Sequence, residues 1–375
     1  MATPRKLTTR ELNRATLARQ GLLARQAVTP AAMIEHLVGI HAQIPNSPYI
    51  GLWTRLQPFE RDDLAGLIEG REVVKAAMMR GTLHLFTAED YRRVRGTIQF
   101  SLDQSFATIT KGRGAFDVAA IVAEARQFIG DEPRTFAEIT SHFEALMPDT
   151  DIGAIRHTIR TQIPLVQVAN GSTWSYPGNP KFALAEQWLK RPIPLGEANL
   201  RELFTRYLRA FGPAMLADMQ QWSAMTKLKE VIAPFKADLV TYKDEAGKEY
   251  LDVPDMPLPD GETPAPVRFL PELDNLLVCH PARIGVVSAA YRARIYPKNG
   301  RLAATIMTDG LVRGVWRIEK TKKAVKLMIE PFEAISPDEQ QALHEEGERL
   351  IRFIGAAEGM TGENAAVEWV KASER

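Results

Sequence analysis

One cysteine, Cys279, stands in 375 residues. It excludes an internal disulfide and fits a reducing cytosol. No apolar run approaches the roughly twenty residues that a membrane-spanning helix needs. The N-terminus has no basic-apolar-small leader pattern either. A cytoplasmic protein with neither span nor signal is expected. The histidines, at positions 36, 41, 84, 142, 157, 280 and 344, show no His-x-x-x-His spacing and no neighbouring cysteine pair. That leaves no ligand pattern for zinc or an iron–sulfur cluster, so the expected chemistry needs no metal and no cofactor.

The formal net charge is only +1, which argues weakly against a nucleic-acid binder. Its distribution says more. Residues 1–114 carry 16 Lys and Arg against 10 Asp and Glu, net +6, whereas residues 329–375 carry 4 against 11, net −7. Phosphate binding depends on local basic surface, so the N-terminal third is the electrostatic candidate. The acidic tail is expected to face solvent or the protein's own basic elements.

The length calls for two to four units. Thr8-Thr9-Arg10-Glu11 is a capping-box pattern opening a helix to about Gly21, and Thr29-Pro30 opens a second that ends near His41. Ser47-Pro48 restarts a helix through Leu56. Residues 73–86 read as a hairpin-like ribbon broken at Arg80-Gly81, before Thr87 caps another helix. The order recurs with Thr135 and Asp151 as caps, and Leu165–Ala169 is expected to pair with Ser172–Tyr176 across Asn170-Gly171. A third copy runs from Asn199 through helices to Ile232, then to strands 238–243 and 249–253. Helix-turn-helix followed by a β-hairpin is the winged-helix arrangement.

The expected class is α+β, with three tandem winged helix-turn-helix units followed by a β-rich C-terminal domain and a closing helix. The units are placed at 1–114, 115–195 and 196–253. A proline-rich linker at 254–266 precedes the C-terminal domain at 267–375, which has turns at Asn299-Gly300 and Asp309-Gly310 and a final helix from Ser336-Pro337.

The segment from Ile40 to Trp53 sets His41 and Gln43 around the small apolar Ala42, where Pro45 and Pro48 disfavour helix. In an extended stretch, residues two apart share a side, so His41 and Gln43 can converge on one target with Ala42 turned inward. A helix C-terminus whose polar groups satisfy the last carbonyls explains the same tripeptide. Arg80, Thr82 and His84 lie on the ribbon, where contact with a nucleic-acid backbone competes with a strand edge and a core histidine. Arg156 and Arg160 share a helix face four apart and can meet phosphates. The Arg92, Arg93 and Arg95 run reads as a solvated face, and Trp53, Trp174 and Trp316 read as packing residues.

Residues 37–55, the run Met79-Arg80-Gly81-Thr82-Leu83-His84-Leu85, the stretch 207–213 with Asp218 and Trp222, Phe269 to Leu277, and Asp309 to Trp316 carry a resemblance across nearly the whole chain. It resembles the winged-helix DNA glycosylases, whose known members remove bulky N7-alkylated guanines and open interstrand crosslinks formed by natural products such as azinomycin. The family's signature is Gln, an aliphatic residue, then Gln or Asp, which falls on His41, Ala42 and Gln43. This chain departs from it at the first polar position and keeps Gln at the last.

The resemblance implies a monofunctional glycosylase that hydrolyses the N-glycosidic bond of N7-alkylated, bulky or crosslinked guanine and leaves an abasic site. It would serve self-resistance or general repair in a bacterial cell. Gln43 would orient the water, and His41, with an ordinary pKa near 6.5, would act as general base or share that water. The resemblance also makes Asn46, Tyr49, Arg80, Thr82, His84, Arg156 and Arg160 the candidate DNA-binding residues. The expected partner is double-stranded DNA containing alkylated purines, met by a nucleoid-associated monomer with no obligate protein partner. Bifunctional cleavage would need an activated amine, and Lys75, the nearest lysine in sequence, shows no sign of activation. The alternative is a non-catalytic winged-helix transcriptional regulator, which does not require the polar pair at the bend.

Overall fold

Side-chain caps decide where the helices begin. In the computed structural model, which describes residues 5–196, 198–279, 285–296, 302–321, 324–357, 359 and 365–370, Thr8 closes a capping box with Glu11 at the start of α1 (Thr9–Arg19). Thr29, with Pro30 in the first turn, starts α2 (Pro30–His36). A short strand β1 (Ile40–His41) precedes α3 (Ser47–Trp53) and α4 (Arg61–Glu69). The ribbon β2 (Val73–Ala77) and β3 (Leu83–Thr87) turns through a 3₁₀ step at Met79–Gly81. Thr87 caps α5 (Ala88–Arg95), and α6 (Gln99–Thr110) follows.

The next stretch holds α7 (Val118–Ile129), β4 (Arg134–Thr135), α8 (Phe136–Leu146) behind a Thr135–Glu138 capping box, and α9 (Ile152–Gln162) behind Asp151. It closes with β5 (Leu165–Gln167), β6 (Lys181–Leu184) and α10 (Ala185–Leu189). Asn199 caps α11 (Leu200–Phe211), which is followed by α12 (Leu216–Ser223), α13 (Leu228–Ile232) and the hairpin β7 (Val240–Lys243) and β8 (Glu249–Asp252).

The C-terminal part runs β9 (Arg268–Leu270), α14 (Asn275–Cys279), α15 (Arg292–Ile295), β10 (Thr305–Thr308), β11 (Leu311–Lys320), β12 (Val325–Pro331), α16 (Pro337–Ala357) and β13 (Ala365–Trp369). Asp309 and Gly310 join β10 to β11 with φ of 44° and 76°, the left-handed pair that a two-residue type I′ hairpin turn requires. The turn expected at Asn299-Gly300 lies outside the described residues. The architecture is α+β. Among the described residues, no helix is long and apolar enough to cross a membrane.

Three expectations are corrected. The second helix ends at His36 rather than near His41, because Val38 and Gly39 take φ of 53° and 85° and send the chain into β1. The Asn170-Gly171 hairpin does not form. Instead β5 pairs with β6, with Leu165 opposite Leu184 and Gln167 opposite Phe182. Tertiary packing overrides the local turn signal there: Ser175 hydrogen-bonds Tyr49, and the Tyr176 ring takes the Lys75 ammonium 4.7 Å from its centroid. The first two ribbons are also not separate wings, since β2 pairs with β5 in one antiparallel six-stranded sheet of order β1-β3-β2-β5-β6-β4.

Packing crosses the expected boundaries as well. Ile40, Ala42, Tyr49 and Trp53 share one core with Phe269, Trp316, Leu327 and Leu350, so the bend and the five-stranded C-terminal sheet bury their apolar faces against each other. A second core joins Val74, Phe86 and Tyr91 to Val166, Tyr207 and Trp222. A side chain of this size contributes roughly 1.5–3 kcal/mol when fully buried. The proline-rich connector 254–266 lies along α1, where Arg10 and Arg14 donate to the carbonyls of Gly261 and Thr263 at 3.1 and 2.6 Å.

Much of the N-terminal positive charge is internal. Arg14, Arg19 and Arg55, all buried, and the partly buried Arg25 pair with Asp309, Asp252, Asp274 and Glu346 in that order. Glu346 belongs to the acidic tail, which thus meets the protein's own basic elements. Arg95, expected on a solvated face, is buried and donates to the Thr161 carbonyl at 3.1 Å.

Candidate functional site

The bend is built by a change of backbone hand followed by strand pairing. Gly39 must be glycine, because its φ is positive and a Cβ there would collide with the Phe86 ring. Ile40 and His41 then pair with Leu85 and His84 of β3, and the Ala42 N–H donates to the Leu83 carbonyl at 2.8 Å. Ala42 packs inward. Gln43 is exposed and lies outside any helix, as expected. His41 is not at the surface. It is 4 % exposed, with its ring edge-on to His84 at a centroid distance of 5.1 Å.

Burial, followed by the nearby Arg80 charge, lowers the His41 pKa to about 3. The expectation of a value near 6.5 is therefore corrected. A base this weak is neutral at physiological pH and cannot hold a proton taken from water, so only hydrogen bonding to that water is left to it. Its Nδ1 has no hydrogen-bond partner among the described residues. His84 is also held well below its usual range, by burial first and then by His41 and Arg80.

A segment more than two hundred residues away fixes the bend. Asn275 accepts from the His41 backbone N–H through Oδ1 at 2.8 Å and donates through Nδ2 to the Gly39 carbonyl, also at 2.8 Å. The adjacent Asp274 makes a bidentate pair with Arg55 at 2.7 and 2.8 Å, just past the end of α3. Arg55 also donates to the Gly51 carbonyl at 2.9 Å. Consecutive residues of the C-terminal part therefore grip both ends of the stretch from Gly39 to Arg55. These residues were not singled out by sequence reasoning. The available signal was the polar run Glu272-Leu273-Asp274-Asn275 between apolar Phe269-Leu270 and Leu276-Leu277.

Several candidate DNA contacts turn inward. Tyr49 is buried, with its hydroxyl bonded to Ser175 and its ring edge-on to Trp174, and His84 is buried, its Nδ1–H donating to the Thr82 carbonyl at 2.9 Å. Both are corrected from surface to core positions, because β1 and the 170–176 loop cover them. Arg80 has a φ of 60°. Its N–H donates to Ser101 at 2.7 Å and its guanidinium donates to the Trp222 carbonyl. Thr82 is half-buried and donates to the Met79 carbonyl at 3.0 Å.

Arg156 and Arg160 are exposed on α9, with Arg160 over the Phe136 ring at 4.1 Å. Neither makes an ion pair among the described residues. Lys75 is buried in β2, and desolvation brings its pKa down to about 8, an activation that the sequence did not signal.

Asn46 ends the bend at the N-cap of α3 but does not cap it. It lines a cleft of about 210 Å³ together with Ser47, Ile50, Pro271, Glu272 and Trp316. Larger surface hollows of about 520, 590 and 660 Å³ contain no residue of 40–46. Among the described residues, no three His, Cys, Asp or Glu side chains gather as a metal-binding group. The arrangement can hold a water at an exposed amide beside a polar cleft.

Residues 34–353 match the model of a family described as DNA glycosylase AlkZ-like. Among solved structures, the DNA glycosylase AlkZ of Streptomyces sahachiroi has the same fold. It aligns with a TM-score of 0.75 at 18% identity, covering 97% of this chain and 100% of that one. No curated protein sequence matches.

Proposed function

The chain belongs to the AlkZ-like DNA glycosylase family, and from that premise we propose that it removes N7-alkylated guanine from double-stranded DNA, leaving an abasic site. Alkylation at N7 makes the base cationic and a good leaving group. The C1′–N9 electron pair goes to the base, which departs neutral, and water adds to the oxocarbenium-like C1′. The proton of that water passes to solvent. Such a reaction needs little acid catalysis and mainly a positioned nucleophile.

The observation that carries this reading is Gln43, an exposed neutral amide on a bend whose next residue back is buried and whose two ends are clamped. Gln43 orients the water. His41, neutral and buried, holds the strand and supplies a dipole to the developing positive charge. A bulky or crosslinked adduct suits the Gln at the last motif position.

In this reading the three helical stretches at 1–114, 115–195 and 196–253 are helix-turn-helix units, the ribbons of the first two joined in one sheet, with the linker and C-terminal domain behind them. The enzyme acts as a monomer in the nucleoid. Arg156 and Arg160 meet phosphates through their exposed guanidiniums, and Arg80, Thr82 and Asn46 border the bend. Incubation with duplex DNA bearing N7-methylguanine, followed by alkaline cleavage, tests the proposal. Strand scission that depends on Gln43 supports it. Binding without scission would make the protein a regulator instead.

A further inference from the structure

Arg156 and Arg160 stand four residues apart on α9, and like charges at that spacing repel each other unless an anion lies between them. Burial first, and then the Arg156 charge, hold the Arg160 guanidinium below its usual range. His157 lies beside them, half-buried and three residues before Arg160 on the same side of the helix. We propose that His157 is a third phosphate contact of this face, and that it grips the DNA backbone as an imidazolium, so that duplex binding takes up a proton. This rests on the reading of Arg156 and Arg160 as phosphate contacts and is independent of base excision.

The neighbours of His157 place it near the bend. Its Nε2 lies 3.3 Å from the Ser105 hydroxyl of α6. The same hydroxyl closes against the ribbon turn, where a Cβ on Gly81 would fall 2.7 Å from it. One residue earlier in that turn, the Arg80 N–H donates to Ser101, also on α6. A phosphate at His157 is therefore one side chain away from the ribbon whose β3 pairs with the bend. At the first turn of α9, Gly153 leaves room for the Arg113 guanidinium, which a Cβ there would strike. Asp151 holds Arg113 in place at 2.8 Å.

In the free protein His157 sits below its ordinary pKa, through burial first and then through the Arg160 and Arg113 charges, with Ser105 opposing them. The acids around α9 are engaged elsewhere. Asp103 of α6 accepts from Gln99 and Gln162, Glu124 of α7 is bonded to His142 of α8, and Glu138 of α8 closes its own capping box. Arg126 of α7 is paired with Glu186. The remaining contact with α7 and α8 is apolar, through Ile155 and Ile159.

A phosphate seated on this face cancels the repulsion from the two arginines and itself favours the imidazolium. Ser105 donates to the neutral ring and accepts from the charged one, so protonation strands no polar group. The DNA-bound protein then holds the proton more tightly than the free one. By linkage, affinity rises as pH falls through the range around the ordinary histidine value of about 6.5.

Fluorescence anisotropy of the intact protein with a labelled undamaged duplex, at about pH 6 and pH 8, tests the contact. The wild type should bind about tenfold tighter at the lower pH, the size expected for one charge-assisted contact. Its slope of log affinity against log salt should be steeper there by about 0.9. Calorimetry in two buffers of different ionisation heat should show proton uptake on binding. His157→Gln should lose all three effects, and His157→Lys, positive at both pH values, should show the steeper slope at both. Equal affinity and slope at the two pH values in the wild type overturn the inference, as does a pH dependence that survives His157→Gln. If Arg156→Ala and Arg160→Ala leave the slope unchanged, the phosphate reading of α9 fails and this inference with it. If those slopes fall while His157→Gln keeps the pH dependence, the inference fails alone.

Discussion

Asn275→Ala isolates the clamp on the bend. In the native protein the Asn275 amide satisfies two buried backbone groups, the His41 N–H and the Gly39 carbonyl, both at 2.8 Å. Alanine removes both partners at a buried position. Each stranded buried group costs about 1–3 kcal/mol, so the loss should be about 2–6 kcal/mol, a large part of the roughly 5–15 kcal/mol that holds a domain together.

Asn275→Asp keeps the acceptor for His41 but sets a carboxylate against the Gly39 carbonyl. It should preserve the β1 pairing partly and be destabilised by an amount below that of Ala. Urea unfolding gives the stability, and single-turnover excision of N7-methylguanine under conditions where the variant is still folded gives the activity. The bend carrying Gln43 starts two residues after His41, so the plateau rate should fall by about 10–10²-fold for Ala, with affinity for undamaged duplex unchanged. An Asn275→Ala protein that unfolds within about 0.5 kcal/mol of wild type, as neutral surface changes do, and excises at the wild-type rate would refute the clamp.

Gln43→Ala should slow excision about 10²-fold, near 2.7 kcal/mol of transition-state stabilisation, with duplex affinity intact. A matching loss of affinity and no loss of rate would make Gln43 a binding residue. His41 is depressed to about 3 in the folded state, against about 6.5 unfolded. Above pH 6.5 it contributes no pH dependence, and as pH falls from 6.5 toward 3 the unfolded chain takes up a proton that the folded chain refuses. Stability should therefore drop by about 2 kcal/mol between pH 6.5 and pH 5 from His41 alone, measured by urea unfolding, and His41→Gln should remove that share of the slope. The excision rate of folded enzyme should lack an inflection near pH 6.5, and one that disappears in His41→Gln would restore His41 as the base. Arg156→Ala and Arg160→Ala should each lower the slope of log affinity against log salt by about 0.9 if each guanidinium neutralises one phosphate, and unchanged slopes would place DNA elsewhere.

The bend itself was legible because its causes are local. Pro45 and Pro48 keep the chain non-helical up to the start of α3, and Ala42 is small enough to be buried with Gln43 outward, although His41, expected on the side of Gln43, is buried too. The Asp309-Gly310 turn and the Thr8, Thr87 and Thr135 caps were legible for the same reason, each being decided within four residues. What the sequence could not display was decided at long range. Asn275 lies 234 residues from His41, and Tyr49 meets Ser175 across 126. Tyr49 and His84 were candidates for DNA contact with core packing as the competing reading, and the elements that bury them come from elsewhere in the chain. The Asn170-Gly171 signal was sound for an isolated hairpin, but the following strand gained more by placing Ser175 and Tyr176 against Tyr49 and Lys75.

Charge was the most misleading quantity read from composition. A net +6 over residues 1–114 suggested a basic surface, yet Arg14, Arg19 and Arg55 are buried, and Arg25 partly buried, against carboxylates of the third helical stretch and the C-terminal part. For the fully buried pairs of Arg19 and Arg55, removing one member costs about 3–5 kcal/mol because the other is left charged in the interior. These arginines therefore hold the bend's scaffold to the rest of the chain and have no guanidinium to offer to phosphate. Arg156 and Arg160 are among the exposed cations left for DNA. Affinity for undamaged duplex should fall with salt in proportion to the exposed cations that meet phosphate, with no share from the four internal arginines. That suits an enzyme that must leave undamaged sites quickly and recognise its target by the base itself.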